Sequence, residues 1–102
     1  MTTAKKIAAT AARLVGGDRA RKHGDKLVNH GNIAALWSAY LARRGAAVTL
    51  TPADVALMMV LLKVARTLSG AHNPDDYIDA AGYAACAGEI AAIAARRRKK
   101  SR

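Results

Sequence analysis

The sequence has 102 residues, of which 52% are hydrophobic and 4% aromatic, and its formal net charge is +10. This length suits one domain, and the high apolar fraction excludes collagen-like and disordered chains. The longest strongly apolar run, 55–62, has eight residues, whereas crossing a bilayer takes about 20, so neither a membrane span nor a secretory signal is expected.

Alanine dominates the apolar residues, and phenylalanine is absent. Because alanine favours helices but buries little area, we expect association between copies to supply part of the missing burial. The single cysteine, Cys86, cannot form an intrachain disulfide. These features predict a homo-oligomer that stays in a reducing cytoplasm.

The excess positive charge is concentrated at the C-terminus. Six of the seventeen basic residues occupy the last seven positions: Arg96, Arg97, Arg98, Lys99, Lys100 and Arg102. Removing these six charges lowers the net charge from +10 to +4. We therefore predict a single helical domain over 1–95, followed by a basic C-terminal tail over 96–102.

The first half of the chain predicts two helices. The first covers about 3–15 and ends at two glycines. A helix this short is marginal without a partner, and a position at the periphery of the domain is one prediction for it. A polar connector follows over 18–29. The second helix covers about 29–43, where Ile33, Trp37 and further apolar residues recur at spacings of three and four.

The second half carries clearer start signals. Thr51 is a suitable N-cap with Pro52 in the first turn, and Asn73 with Pro74 repeats this arrangement before the fourth helix. Residues 55–62 are apolar on every side, so the third helix is expected to be the central and most buried one. The fold predicted is all-α, a small antiparallel bundle of about four helices.

Polar residues in the connector form the first candidate site. Arg19 and His23 could bind a phosphate or another anion, Asp25 could orient His23, and Asn29 lies one turn further on. The alternative is a solvated loop in which Asp or Asn side chains cap the next helix. Spacing alone leaves both interpretations open.

A second candidate group lies on the last two helices. Lys63 and Arg66 share one face of the third helix, and Asp76, Asp79 and Tyr83 share one face of the fourth. A tight turn would bring the two faces together, either as a ligand site or as an interhelical salt-bridge network. Asp76 and Asp79 are weak candidates for a divalent cation such as Mg²⁺. The cysteine and histidines lack zinc-ligand spacing.

Two further features allow binding or structural interpretations. Trp37 and Tyr40 could stack on a base, although their helical spacing favours a place in the core or in a subunit interface. Cys86, among alanines, is expected to be a small buried residue. The basic residues Arg96, Arg97, Arg98, Lys99 and Lys100 suit either nucleic-acid binding or simple solvation.

The succession of motifs resembles a family of small phage and prophage proteins described as a domain of unknown function. These motifs are GDR at 17–19, HGD at 23–25, NH at 29–30, IAALWSAYL at 33–41, LTPADVALMMVLLKVAR at 50–66 and SGAHNPDDYIDAAGYAACAGEIA at 69–91. The resemblance covers about 17–92. It implies a phage protein acting in the cytoplasm of the bacterial host.

The Lys, Arg, D-x-x-D and Tyr pattern is also similar to phage nucleotide-modification-associated domains and to MazG-type all-α nucleotide pyrophosphohydrolases. That resemblance implies an oligomeric bundle holding a nucleotide and magnesium. Asp76 and Asp79 match the second acidic pair of its signature, with Asp for Glu at the first place. The first pair, E-x-x-E, is missing, so binding is expected without hydrolysis.

The leading hypothesis is a phage protein that binds a nucleotide or a nucleotide-derived phosphorylated ligand. Such binding would sequester a host defence signal or serve phage nucleotide metabolism. Three alternatives stay open: a divergent pyrophosphohydrolase, a nucleic-acid-binding accessory protein acting through the tail, and a structural helical oligomer.

Overall fold

The computed structural model describes residues 2–17 and 25–100, which contain helices and no strands. In chain order the helices are α1 (Ala4–Gly16), α2 (Lys26–Arg43), α3 (Pro52–Arg66) and α4 (Pro74–Lys100). α3 packs along α4. α1 also packs against α4, and α2 packs against α3. The predicted all-α class is therefore confirmed for this part of the chain.

The predicted start signals of α3 and α4 are confirmed. The backbone N–H of Asp54 donates to Thr51 Oγ1 over 3.1 Å, and the backbone N–H of Thr51 donates to Asp54 Oδ2 over 2.9 Å. This reciprocal pair is a capping box that satisfies two otherwise unpaired donors. At α4, the backbone N–H of Asp75 donates to Asn73 Oδ1 over 3.0 Å.

We expect Thr51→Ala to lower the free energy of unfolding by about 1 kcal/mol, because α3 then loses its N-cap acceptor. Thermal unfolding followed by circular dichroism should show a Tm lower by about 4–8 °C. Thr49→Ala is the control, because it removes a threonine hydroxyl that lies two residues earlier and outside the capping box. Equal Tm values for the two variants would contradict this role of Thr51.

α2 begins earlier than predicted, at Lys26 rather than near Asn29. The reason is Asp25, whose carboxylate accepts a hydrogen bond from the backbone N–H of Leu27 over 2.7 Å and so caps the helix. The connector therefore contributes one of the Asp caps that the structural interpretation expected. At the other end, Gly45 follows α2 with φ +91°, a conformation that favours glycine.

The buried apolar core of the described residues is small. It consists of Ala11, Ala34, Val55, Ala56, Ala87 and Ile90, so four of its six members are alanine. Helices that meet through alanine approach closely, but each such contact removes little apolar area from water.

Residues 55–62 are apolar on every side of the helix, but they are not buried on every side. Val55 and Ala56 are fully buried, but Leu57 and Leu61 are 51% and 66% exposed. The reason is that α2 and α4 cover only part of the α3 surface. Tyr40, which was expected in the core, is also 65% exposed, whereas Trp37 is half-buried.

The basic residues 96–100 continue the fourth helix, since α4 ends at Lys100. By length and composition alone, α4 could cross a membrane, and a single such helix is weak evidence of a membrane span. The core helices of soluble proteins meet the same criteria. α4 also carries Asp76 and Asp79 in ion pairs with α3.

Candidate functional site

An open cleft of about 1500 Å³ is lined by residues from all four helices. This volume exceeds the about 300–1,000 Å³ of most small-molecule sites, so a ligand would share it with water. Its apolar wall includes Leu14, Val15, Leu27, Ile33, Met59, Ile78 and Ile93. Its charged groups are Asp25, Lys26, Lys63, Asp79, Glu89 and Arg97.

The cleft brings together five of the nine ligand-binding residues predicted from the sequence. These are Asp25, Asn29, Lys63, Asp79 and Tyr83. Arg66 and Asp76 do not line it, although they lie on the same two helices as Lys63 and Asp79. Arg19 and His23 lie outside the described residues.

The predicted approach of α3 and α4 through charged residues is present. Lys63 Nζ lies 3.0 Å from Asp79 Oδ2, with both side chains only 15% exposed. Arg66 Nε lies 3.5 Å from Asp76 Oδ1. The salt-bridge interpretation thus describes both pairs, and the first pair also forms part of the cleft wall.

A third ion pair crosses the cleft between α2 and α4. Lys26 Nζ lies 2.7 Å from Glu89 Oε2, and this hydrogen bond raises the pKa of Lys26 above its usual value. Sequence reasoning missed both residues, because Lys26 was assigned to the connector and Glu89 had no nearby partner in sequence. The Asp25 capping signal could have placed Lys26 in the first turn of α2.

His30, which the sequence groups with the polar connector residues but which is not among the nine predicted ligand-binding residues, also lines the cleft. Its Nδ1 lies 2.7 Å from the backbone carbonyl oxygen of Lys26. Because a carbonyl can only accept, Nδ1 carries the hydrogen and donates it.

Cys86 lines the cleft and is half-buried, rather than fully buried as predicted. Burial raises the pKa of its thiol, against the smaller opposing effect of Lys26. A thiol is nucleophilic only when it is ionised. The surroundings of Cys86 therefore disfavour its reactive form.

We expect Cys86 to react with iodoacetamide more slowly in the folded protein than in urea at pH 8, because burial disfavours the thiolate. The folded-state rate should still be rising at a pH where the unfolded chain has reached its plateau. Mass spectrometry of quenched samples measures both rates. Identical pH profiles in the two states would contradict this expectation.

Asp76 and Asp79, the candidates for a divalent cation, line two different recesses. The carboxylates of Asp76 and Asp79 each lie against a cation of α3, and Asp76 lines a separate small recess. No group of three or more possible metal ligands occurs among residues 2–17 and 25–100. Hard cations require more oxygen ligands than either carboxylate supplies alone.

The exposed basic residues 96–100 extend one end of α4. Consecutive helical residues point in directions about 100° apart, so five of them surround the helix rather than forming one basic face. Arg97 also lines the cleft. The basic segment and the cleft therefore share one residue.

Comparisons with known proteins give a family and two similar phage proteins. A family described as a domain of unknown function, DUF6378, matches residues 6–91. The "Gene 55 protein" of Mycobacterium phage L5 is 47% identical over 78 residues, which are 76% of this chain and 47% of that protein. The "Gene 55 protein" of Mycobacterium phage D29 is 36% identical over 80 residues, 78% of this chain and 50% of that protein. The chain thus spans about half the length of these relatives, and no solved structure matches it.

Proposed function

The chain belongs to the DUF6378 family and is similar to mycobacteriophage proteins, and we propose that it binds a nucleotide or a nucleotide-derived phosphorylated ligand in the cleft without hydrolysing it. The observation that supports this proposal is that cationic side chains of three helices line one partly apolar cleft. Sequestering a host defence signal and serving phage nucleotide metabolism are two uses of such binding.

The charges of the cleft suit a phosphorylated ligand. Lys26, Lys63 and Arg97 come from α2, α3 and α4, so cations line the cleft from three helices. Lysine binds phosphate as a point charge, and arginine binds it through paired N–H groups. Phosphate oxygens would compete with Glu89 and Asp79 for the two lysines.

The remaining lining residues suit the nucleoside part. The apolar side chains of Leu27, Ile33 and Met59 offer a surface for a base, and the ring of Tyr83 offers a stacking partner. The amide of Asn29 and the carboxylates released from the lysines would accept hydrogen bonds from sugar hydroxyls. A largely apolar wall with a few polar groups is typical of small-molecule sites.

The arrangement of the acids favours binding over hydrolysis. Among residues 2–17 and 25–100, three acids line the cleft and perform separate tasks: Asp25 caps α2, Asp79 pairs with Lys63, and Glu89 pairs with Lys26. The pyrophosphohydrolase alternative would need several carboxylates around one metal. Release of pyrophosphate from a nucleoside triphosphate in the presence of Mg²⁺ would establish that alternative and remove the claim of binding without hydrolysis.

Calorimetric titration with nucleoside monophosphates, triphosphates and cyclic nucleotides tests the proposal, with unphosphorylated nucleosides as controls. Lys26→Gln and Arg43→Gln each remove one positive charge from α2, but only Lys26 lines the cleft. We expect Lys26→Gln to raise the Kd at least about fivefold, and Arg43→Gln to leave it within about twofold. Absence of binding to every phosphorylated probe, or equal losses in both variants, would overturn the proposal.

Nucleic-acid binding through the basic end of α4 is a second candidate function, favoured by the exposed positions of residues 96–100. Replacing Arg98, Lys99 and Lys100 with glutamine leaves the cleft residue Arg97 in place. If this candidate is correct, affinity for single-stranded and duplex oligonucleotides should fall in the triple variant. The slope of the logarithm of affinity against the logarithm of salt concentration should also decrease in magnitude by up to about three. Unchanged affinity and slope would exclude it.

A further inference from the structure

α3 is apolar on two faces, of which only one is covered. Its inner face carries Val55, Ala56 and Met59 toward the rest of the protein. On the opposite side, Leu57, Leu61, Val64 and Leu68 follow each other at spacings of four, three and four residues. Those spacings place the four residues along one line of the helix and the turn that follows it.

These side chains are well exposed, Leu57 at 51%, Leu61 at 66%, Val64 at 48% and Leu68 at 83%. Met58 and Leu62 lie beside this line, each about 100° further around the helix than Leu57 and Leu61, and are also exposed. We refer to these six residues together as the outer α3 face. Monomeric soluble proteins rarely expose so many large apolar residues on one element, and such patches usually mark interaction sites.

We propose that the outer α3 face joins two copies of this chain in a symmetric dimer, with the α3 helices of the two copies packed against each other. In a twofold-symmetric contact the same surface must complement itself. A face made only of leucine, valine and methionine can complement itself, because apolar side chains on one copy pack favourably against apolar side chains on the other. It also brings no charges together, although each copy carries a formal charge of +10.

The accessible surface of the whole chain leaves room for contact with a second copy. Its accessible surface is 7532 Å², whereas a monomeric protein of 10.7 kDa exposes about 5,500 Å². The excess, about 2,000 Å², is more than the about 800 Å² that each partner buries in a standard interface. A buried core made mostly of alanine leaves each copy in need of further apolar burial.

This dimer is independent of the proposed ligand site, because no residue of the outer α3 face lines the cleft. The failure of either proposal would therefore leave the other in place. The contact would also explain why residues 55–62 are apolar on every side, since the side not covered by α2 and α4 would be covered by the second copy.

Sedimentation equilibrium of the full chain at 1–100 μM tests the proposal, with a dimer expected near twice the chain mass of 10.7 kDa. Leu61→Lys places a charge in the middle of the outer α3 face and should raise the dissociation constant more than about tenfold. Val28→Lys makes a similar change at an exposed position of α2 and should leave the dimer unchanged.

Two further measurements keep the test informative if Leu61→Lys does not fold by circular dichroism. Leu57→Gln replaces an exposed side chain with a polar one and should also weaken the dimer. Leu61→Cys combined with Cys86→Ser should form a disulfide between copies on oxidation, reversed by a reducing agent. A wild-type monomer at 100 μM, or a dimer that neither exposed-face substitution weakens, would overturn the proposal.

Discussion

Replacing Asp79 with alanine should lower the free energy of unfolding by about 3 kcal/mol, because the Lys63 side chain would be left at a mostly buried position without its partner. The two side chains are 15% exposed and their charged atoms lie 3.0 Å apart. Chemical denaturation in urea measures the change. Glu89→Ala is the matched control, since its pair with Lys26 joins α2 to the same helix but is far more exposed. That variant should lose less than about 1 kcal/mol.

A double variant separates the cost of an unpaired charge from the net value of the pair. Lys63→Met combined with Asp79→Leu replaces both charges with apolar side chains and should recover most of the lost stability. Losses that are equal in Asp79→Ala and Glu89→Ala would show that burial does not govern these pairs. A double variant no more stable than Asp79→Ala would show that α3 and α4 need the ion pair itself.

Replacing Ile90 with alanine should lower the free energy of unfolding by about 3 kcal/mol, because it leaves a cavity in a core with few large side chains. Ile90 is 2% exposed, and it and Val55 are the two members of the buried apolar set that are not alanine. Val28→Ala is the control, because Val28 is exposed. It should change the stability by less than about 0.5 kcal/mol.

Urea denaturation measures the stability loss of Ile90→Ala, as it does that of Asp79→Ala. An Ile90→Ala loss below about 1 kcal/mol would mean that the surrounding alanines collapse into the space, or that most stability resides elsewhere. If the proposed dimer is present, the free energy of unfolding depends on protein concentration, so all variants are compared at one concentration.

The predicted site was partly recoverable from the sequence for a clear physical reason. Lys63 and Arg66 lie on one face of α3, and Asp76 and Asp79 lie on one face of α4, so helical geometry and a short connection brought the pairs together. Helical spacing did not show that only the Lys63–Asp79 pair reaches the cleft. Which of the two ion pairs lines the cleft depends on how α3 is rotated against α4.

Other parts of the site had no signal in local spacing. Lys26 and Glu89 form an ion pair although they are far apart in sequence. The cleft is lined by all four helices, of which α1 packs on α4 and α2 packs on α3. The start of α2 was misplaced because the cap at Asp25 was one of two interpretations of the connector. A cap and a ligand-orienting carboxylate require the same residue type.

Local signals in the sequence were sufficient for the helical class, the caps of α3 and α4 and the glycine that ends α2, because hydrogen bonds among neighbouring residues produce them. The gathering of Asp25, Lys63 and Tyr83 around one cleft required the packing of all four helices. The division of α3 into a covered and an exposed apolar face also required this packing. An apolar side chain favours burial, but its residue type does not specify which neighbour covers it. Which neighbour covers it depends on contacts between residues that are distant in sequence.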